Sequence, residues 1–427
     1  MVQNTSSPTY ESAEALRKQG KFQQAAQEYE LLWKDSSAPS IGWRYAFCLR
    51  KLQHFEQAES IAREALKKYP NDKYVVSEFG WVLYEKEIKP GIDENDLGKI
   101  LHAANEIWQY NPTDLLLNKL ILAVMKAAKK RGKWEVVLEW SGRVNPDLLD
   151  KTPFEFEGKR GMSDREIWYI GRSRAMYELE QFEQARQLAQ KGLTEFPGEL
   201  FLTRTAALAL AGSGDVGGGT AELRPLLNHP KADAYLKADL GELEFQLGNL
   251  KEAHRLLCEA VLNPQSEQYK LGYFVTLAKI SLAEQQPIAA AESIALATVI
   301  RQQEDWSIPT ELSLVEQETR DLLSSQGLEW PDLPHDLRSL SKLCMEHWKT
   351  ESTAGLKRVT GQVGRINPEK KHTFIHRDDR EKPVFALLRD LPKGCTEGTK
   401  IDFALKPSFD RKKNEESVQA VDIKVIK

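Results

Sequence analysis

The side chains best suited to chemistry in this chain of 427 residues gather near its C-terminus. Arg365, Lys370, Lys371, His372, Phe374, His376 and Phe385 lie within one short stretch. If residues 372–376 form a strand, alternation puts His372, Phe374 and His376 on one face and Thr373 and Ile375 on the other. A guanidinium plane, an imidazole and two phenyl rings can stack on unpaired bases, at about 1–3 kcal/mol per base. Lys370, Lys371 and Lys357 suit phosphates. Packing inside a small domain is the competing reading for Phe374 and Phe385.

No catalytic constellation accompanies them. His376-Arg377-Asp378 imitates the protein-kinase triplet, but no Gly-rich loop or Asp-Phe-Gly goes with it. The tract from Gly212 to Gly219 is rich enough in glycine to cradle phosphate, yet it lacks the Lys-Ser/Thr of a P-loop and falls where a turn is due. The histidines are dispersed, with no His-Glu-x-x-His. Cys48, Cys258, Cys344 and Cys395 have no Cys-x-x-Cys spacing, which argues against a zinc site or a disulfide framework. No enzyme activity, metal or cofactor is expected.

Charge divides the chain. From Gly355 onward there are 17 Lys+Arg against 11 Asp+Glu, which leaves 42 against 52 in the rest. A basic tail on an acidic body is the footprint of a phosphate-neutralising module. No run of apolar residues is long enough to span a bilayer, and the start has no basic-then-apolar signal pattern. A cytoplasmic location without membrane contact is the expectation.

The elements that must position the candidates begin with a repeat. Its clearest copies are Gly20-Lys-Phe22-Gln-Gln-Ala25, Gln53-His-Phe55-Glu-Gln-Ala58, Glu180-Gln-Phe182-Glu-Gln-Ala185 and Gly248-Asn-Leu250-Lys-Glu-Ala253. Weaker ones start at Gly132 and Gly214. The spacing is 33 from Phe22 to Phe55, and 34 from Phe182 to Val216 and from Val216 to Leu250. Pro70, Pro112 and Pro197 close second helices, because proline lacks a donor and clashes with the previous turn. The stretch resembles tetratricopeptide repeats, which implies an α-solenoid with a groove for a protein or peptide partner.

The expected organisation is a flexible N-terminus over 1–11 and tetratricopeptide-like repeats over 12–305. Within these, 87–97 reads as an inter-helix loop. An insertion at about 146–163 carries Phe154 and Phe156, either as a binding loop or lid or packed onto the solenoid. A capping box, Ser163 with Glu166, restarts the helices. Residues 306–352 read as a capping helix pair and linker.

After Thr350 the period changes from 3.6 to 2. Strands are expected around 361–367, 372–376, 383–388, 400–406 and the C-terminal residues, with 407–417 as a charged connection. Five short strands over 355–427 suit a small closed barrel of the OB type. The fold class is therefore mainly α, a tetratricopeptide-like α-solenoid followed by a five-stranded OB-type β-barrel.

The run from Gly361 to His376 resembles the first two strands of a cold-shock domain, roughly G-x-V-K-W-F-N-x-x-K-G-F-G-F-I. Val384-Phe385-Ala386 resembles that family's V-F-V, and Glu397 to Phe403 its E-G-x-x-V-x-F. The resemblance implies a stacking platform for single-stranded RNA or DNA at Arg365, Lys370, Lys371, His372, Phe374, His376 and Phe385. The platform is thinned. Arg365 stands at the tryptophan position, Ile366 at the phenylalanine beside it, His372 at another phenylalanine, and Leu387 at a histidine. A non-enzymatic adaptor with nucleic acid at the barrel is one expectation; a purely protein-interaction scaffold or regulatory subunit is the other.

Overall fold

The computed structural model describes residues 8–426 apart from 157, 230, 367, 411, 412 and 414. It is a tetratricopeptide-like helical repeat array followed by a closed five-stranded β-barrel. Two compact units divide the chain between Ala206 and Ala207.

The repeat motif has a physical basis in both units. Phe22, Phe55, Trp134, Phe182, Val216 and Leu250 are each the first residue of a second helix. Two residues earlier the backbone turns into the left-handed region, where glycine fits best. Gly20, Gly132 and Gly248 supply it, while Gln53 and Glu180 adopt the same conformation at φ 62° and 58°. Ala25, Ala58, Ala185 and Ala253 are fully buried where paired helices approach. At the equivalent Gly219 even a Cβ would stand 2.6 Å from the Ala207 carbonyl. The glycine tract is therefore a close helix crossing, and the Asp215 carboxylate accepts from the Gly218 N–H at 2.8 Å, the place an anion would take.

The first unit opens with Tyr10–Lys18 paired to Phe22–Ser36. Thr9 and Ser12 form a capping box, so the helix reaches back into the stretch expected to be flexible. Residues 1–7 of that expectation lie outside the described residues. The loop expected over 87–97 is largely helical. Lys73–Leu83 continues through a π-helical turn, Tyr84–Ile88, into Lys89–Asp93. Pro90, which has no N–H to give, follows directly on that π-helical turn, and Ile88 beside it is buried. From the helix Pro39–Lys51, Arg50 holds Glu78 of Lys73–Leu83 at 2.6 and 3.0 Å and Glu85 of the π-helical turn at 2.8 Å. Burial pushes Glu78 up to about 6 against the pull of Arg50.

The insertion is pinned at its root and open at its tip. Arg165 donates to the Asp147 and Leu149 carbonyls, and Lys151 pairs with Glu195 at 3.0 Å. Glu155–Phe156 and Lys159–Arg160 form a two-residue antiparallel ladder. Phe154 is 62% exposed, and its ring covers Gly161. The Phe156 side chain and residue 157 lie outside the described residues. Ser163 caps Asp164–Glu178 through the expected capping box.

In the second unit Ala234–Gln246 pairs with Leu250–Val261, and Leu271–Ala283 with Pro287–Gln303. The buried Lys270 ammonium donates to the Val261 and Asn263 carbonyls at 2.7 and 2.5 Å, closing the end of Leu250–Val261. Thr310–Ser325 packs on the preceding pair. The last helix, Leu337–Glu351, corrects the expected capping pair: it packs mainly on Leu250–Val261 and Pro287–Gln303 rather than on Thr310–Ser325. An extended connection holding Pro331 and Pro334 carries it there, and Trp348 stacks on Phe274 at 5.3 Å. Among the described residues no helix is long and apolar enough to cross a membrane.

The barrel strands are β1 Arg358–Val363, β2 His372–Arg377, β3 Val384–Leu387, β4 Lys400–Asp410 and β5 Glu415–Val425. Their order is β1-β2-β3-β5-β4, closed by β4 on β1, with β3 and β5 parallel and the rest antiparallel. Val363, Ile375, Val384, Ala386, Ile401, Phe403 and Ala420 fill the interior. The charged connection expected over 407–417 is shorter than read. Pro407 pairs with Val418 and Asp410 with Glu415, so β4 and β5 run on as a ribbon whose cross-strand bonds continue without barrel packing.

Candidate nucleic-acid interface

The sequence HTFIHR alternates as expected of a strand with one buried face. Thr373 and Ile375 point into the barrel, while Phe374 and His376 are exposed. Phe374 lies directly opposite Phe385 on β3, and their ring centroids are 6.1 Å apart at 78°. His372 completes the cluster, 5.9 Å from Phe374 and 5.2 Å from Phe385. Phe374 keeps 48% of its surface exposed, so it is a surface ring and not a core residue. Phe385 and His372 are half-buried beneath it. Core packing is thereby ruled out for Phe374; Phe385 faces outward but leans on its neighbours.

Backbone bonds fix this cluster against the end of β1. The Gly364 N–H donates to the Phe374 carbonyl at 2.9 Å, and the buried Thr373 hydroxyl donates to the Arg365 carbonyl at 3.0 Å. The His376 ring lies over Gly364, where an added Cβ would stand 3.0 Å from Nε2 and 2.5 Å from the Phe374 carbonyl. Gly364 is therefore required by close approach. His372 Nδ1 sits 2.8 Å from the Lys370 carbonyl. A carbonyl only accepts, so Nδ1 carries a proton and donates to it.

Arg365, Lys370 and Lys371 are exposed around the rings and make no ion pair with the described residues. The structure thus brings His372, Phe374 and Phe385 into contact, and flanks them along the chain with Arg365, Lys370, Lys371 and His376. Lys357 is different. It precedes β1, at the end opposite Arg365.

Lys406 would pass for a further phosphate ligand, being basic and on the outer face, but the fold commits it elsewhere. Its ammonium is 3.0 Å from Glu259 on Leu250–Val261. Glu259, 4% exposed, also holds Lys237 at 2.5 Å and Arg255 at 2.6 Å. Burial works to raise Glu259, but Lys237 and Lys406 overcome it and hold the carboxyl below its usual range. Burial pushes Lys406 down even with Glu259 beside it. Sequence reasoning missed this seat, since nothing local links residues 259 and 406. Thr373 and Gly364 were missed as positioning residues; the one signal was a small residue and a hydroxyl set among rings.

The repeat surface offers a second set of side chains in the first unit. Trp43 of Pro39–Lys51 stacks on Tyr74 of Lys73–Leu83 at 5.6 Å and 22°. The Arg44 guanidinium lies 4.0 Å from the Trp43 ring centre and is held by Glu14 at 3.0 Å. Among the described residues no group of three or more His, Cys, Asp or Glu is placed to hold a metal ion.

No protein-family profile matches the chain, and no curated protein resembles it in sequence. Among solved structures it is similar to a tetratricopeptide repeat protein from Parabacteroides merdae ATCC 43184, at 10% identity over 64% of this chain and 96% of that one, TM-score 0.33. It is similar to human IFIT1 in its dimer with m7Gppp-AAAA, at 13% identity over 79% and 78%, TM-score 0.42. It is also similar to the APC/C hetero-tetramer Cut9-Hcn1, at 10% identity over 72% and 54%, TM-score 0.42. The chain itself is a tetratricopeptide-like helical repeat protein whose C-terminal residues close into a five-stranded β-barrel.

Proposed function

We propose that the chain is a non-enzymatic, cytoplasmic adaptor whose helical repeats hold a protein partner while its barrel contacts single-stranded RNA or DNA. The observation that carries the nucleic-acid half is the His372–Phe374–Phe385 ring cluster on one outer face, flanked by Arg365, Lys370 and Lys371, which have no ion-pair partner among the described residues. Rings supply base stacking and free cations supply phosphate neutralisation, which together are what a single-strand site needs.

Two features favour an OB-type, cold-shock-like reading of the barrel. Its strand order, with β3 and β5 parallel and β4 returning to β1, is that of a five-stranded Greek-key barrel. Lys371 stands where the cold-shock pattern has glycine, and its backbone is left-handed at φ 55°, the conformation that glycine serves. For the repeats, the Trp43–Tyr74 stack with Arg44 gives a rigid amphipathic surface of the kind used in protein recognition.

Electrophoretic mobility shift of the full chain on short single-stranded RNA and DNA at low salt tests the barrel reading. Phe374→Ala with Phe385→Ala is expected to cost about 1–3 kcal/mol per lost stack. No shift at low salt sinks the reading. The protein-scaffold alternative is favoured by Arg365 in place of the platform tryptophan. It gains if the ring variants leave function intact while Trp43→Ala or Tyr74→Ala abolishes it.

A further inference from the structure

The outer face that carries the rings continues past them. Residues opposite one another in a ladder point to the same side of the sheet, so the strand register tells which side chains share that face. Phe374 lies opposite Phe385, Phe385 opposite Gln419, and Gln419 opposite Lys406. One step along β2, His376 lies opposite Gln362, and Gln362 opposite Lys400. The neighbours Val363, Ile401 and Ala420 are buried in the barrel, which sets Gln362, Lys400 and Gln419 outward.

Neither glutamine amide has a hydrogen-bond partner among the described residues, and Lys400 makes no ion pair. Lys406, at the end of the first row, is taken by Glu259. The available part of that row therefore stops at Gln419. Adjacent strands lie about 4.8 Å apart, so each amide sits within one strand of a ring or imidazole of the platform.

The chemistry of the two kinds of side chain differs. Every base has a π-face, so phenyl and imidazole rings bind bases with little discrimination. A glutamine amide carries a donor group and an acceptor side by side, matched to the edge of an unpaired base. We propose that Gln362 and Gln419 are specificity-determining residues of the barrel site. They read base edges on either side of the bases stacked on Phe374 and Phe385, and Lys400 takes the phosphate beside Gln362. The ligand is then an unpaired strand selected by base identity and not by charge alone. This inference rests on the nucleic-acid reading above.

The test is fluorescence anisotropy of the full chain with dye-labelled homopolymers of each base, in RNA and DNA, at fixed low salt. The variants are Gln362→Ala, Gln419→Ala, Lys400→Ala and Phe374→Ala; Gln362 and Lys400 are exposed and Gln419 is half-buried, and the first three lie outside the barrel interior. The native chain is expected to rank the homopolymers. Each glutamine variant should weaken the preferred homopolymer about tenfold while leaving the poorest within about twofold, compressing the ranking. Lys400→Ala and Phe374→Ala should weaken all homopolymers together. If the glutamine variants change nothing, or weaken every homopolymer equally, while Phe374→Ala still weakens all, the base-reading role is overturned and the stacking site stands. A native chain that binds all homopolymers equally overturns it as well. A native chain that binds none overturns both readings.

Discussion

Replacing Glu259 with glutamine keeps the size of the side chain and removes the charge that pairs with Lys406 of β4 from helix Leu250–Val261. Three cations face that carboxylate. Arg255 retains Glu252 at 2.8 Å, so the loss falls on Lys237 and Lys406. Removing one partner of a fully buried pair costs about 3–5 kcal/mol, because the other charge is left desolvated and unanswered. Here the Lys237 and Lys406 side chains keep 34% and 25% exposure, so solvent screens part of the loss. We expect about 2 kcal/mol for Glu259→Gln. Lys406→Met should cost less, since Glu259 keeps Lys237 and Arg255 and a desolvated ammonium is relieved. The assay is urea denaturation of the full chain followed by far-ultraviolet circular dichroism, completed as a double-mutant cycle with Glu259→Gln and Lys406→Met. A coupling of about 1 kcal/mol is expected for directly paired groups. The pH dependence has a definite sign. Glu259 is held below its ordinary value, so its contribution is present above the unfolded value of 4.5 and is lost as pH falls through the lower folded one. The deficit of Glu259→Gln should therefore vanish in acid. Equal costs for the two single variants, or a cycle with no coupling, would refute the view that this seat anchors the barrel.

Two further outcomes are expected. Gly364→Ala puts a Cβ against the Phe374 carbonyl and the His376 ring; it should destabilise the barrel by about 1–3 kcal/mol, read as a lower thermal midpoint. His347 Nδ1–H donates to the Glu292 carboxylate at 2.8 Å, His347 Nε2 lies 3.9 Å from Glu351, and the Glu292 bond raises His347 above its ordinary 6.5. Its stabilisation, about 1 kcal/mol, is complete below 6.5 and fades as pH rises through the raised value. Urea midpoints of the native chain should fall between neutral and alkaline pH by more than those of His347→Gln, and equal falls would contradict this.

Much of the architecture is legible in the chain because it is local. The turn two residues before Phe22, Phe55, Phe182 and Leu250 needs left-handed backbone, and the alanine three residues after needs close helix approach; both demands repeat at the same spacing as the structure. Where local cues conflict, reading fails. The charged and proline-containing stretch 87–97 looks like a loop, but Ile88 is buried and the chain runs on from a π-helical turn through Pro90, so most of it is helical. Residues 310–325 and 337–351 look like a pair, yet the second helix finds its apolar partners on earlier helices.

The candidate site divides in the same way. The outward set of His372, Phe374 and His376 follows from the two-residue period of a strand, which one segment carries by itself. The pairing of Phe385 with Phe374 and Gln419, and the capture of Lys406 by Glu259, depend on register between strands and on docking between segments far apart in sequence. Those choices are made by the packing of the whole second unit, where a buried carboxylate must find its cations and each strand must keep its apolar face inside. The sequence alone determined which side chains could form a platform; tertiary structure decided which of them meet, and which cation is not free to join them.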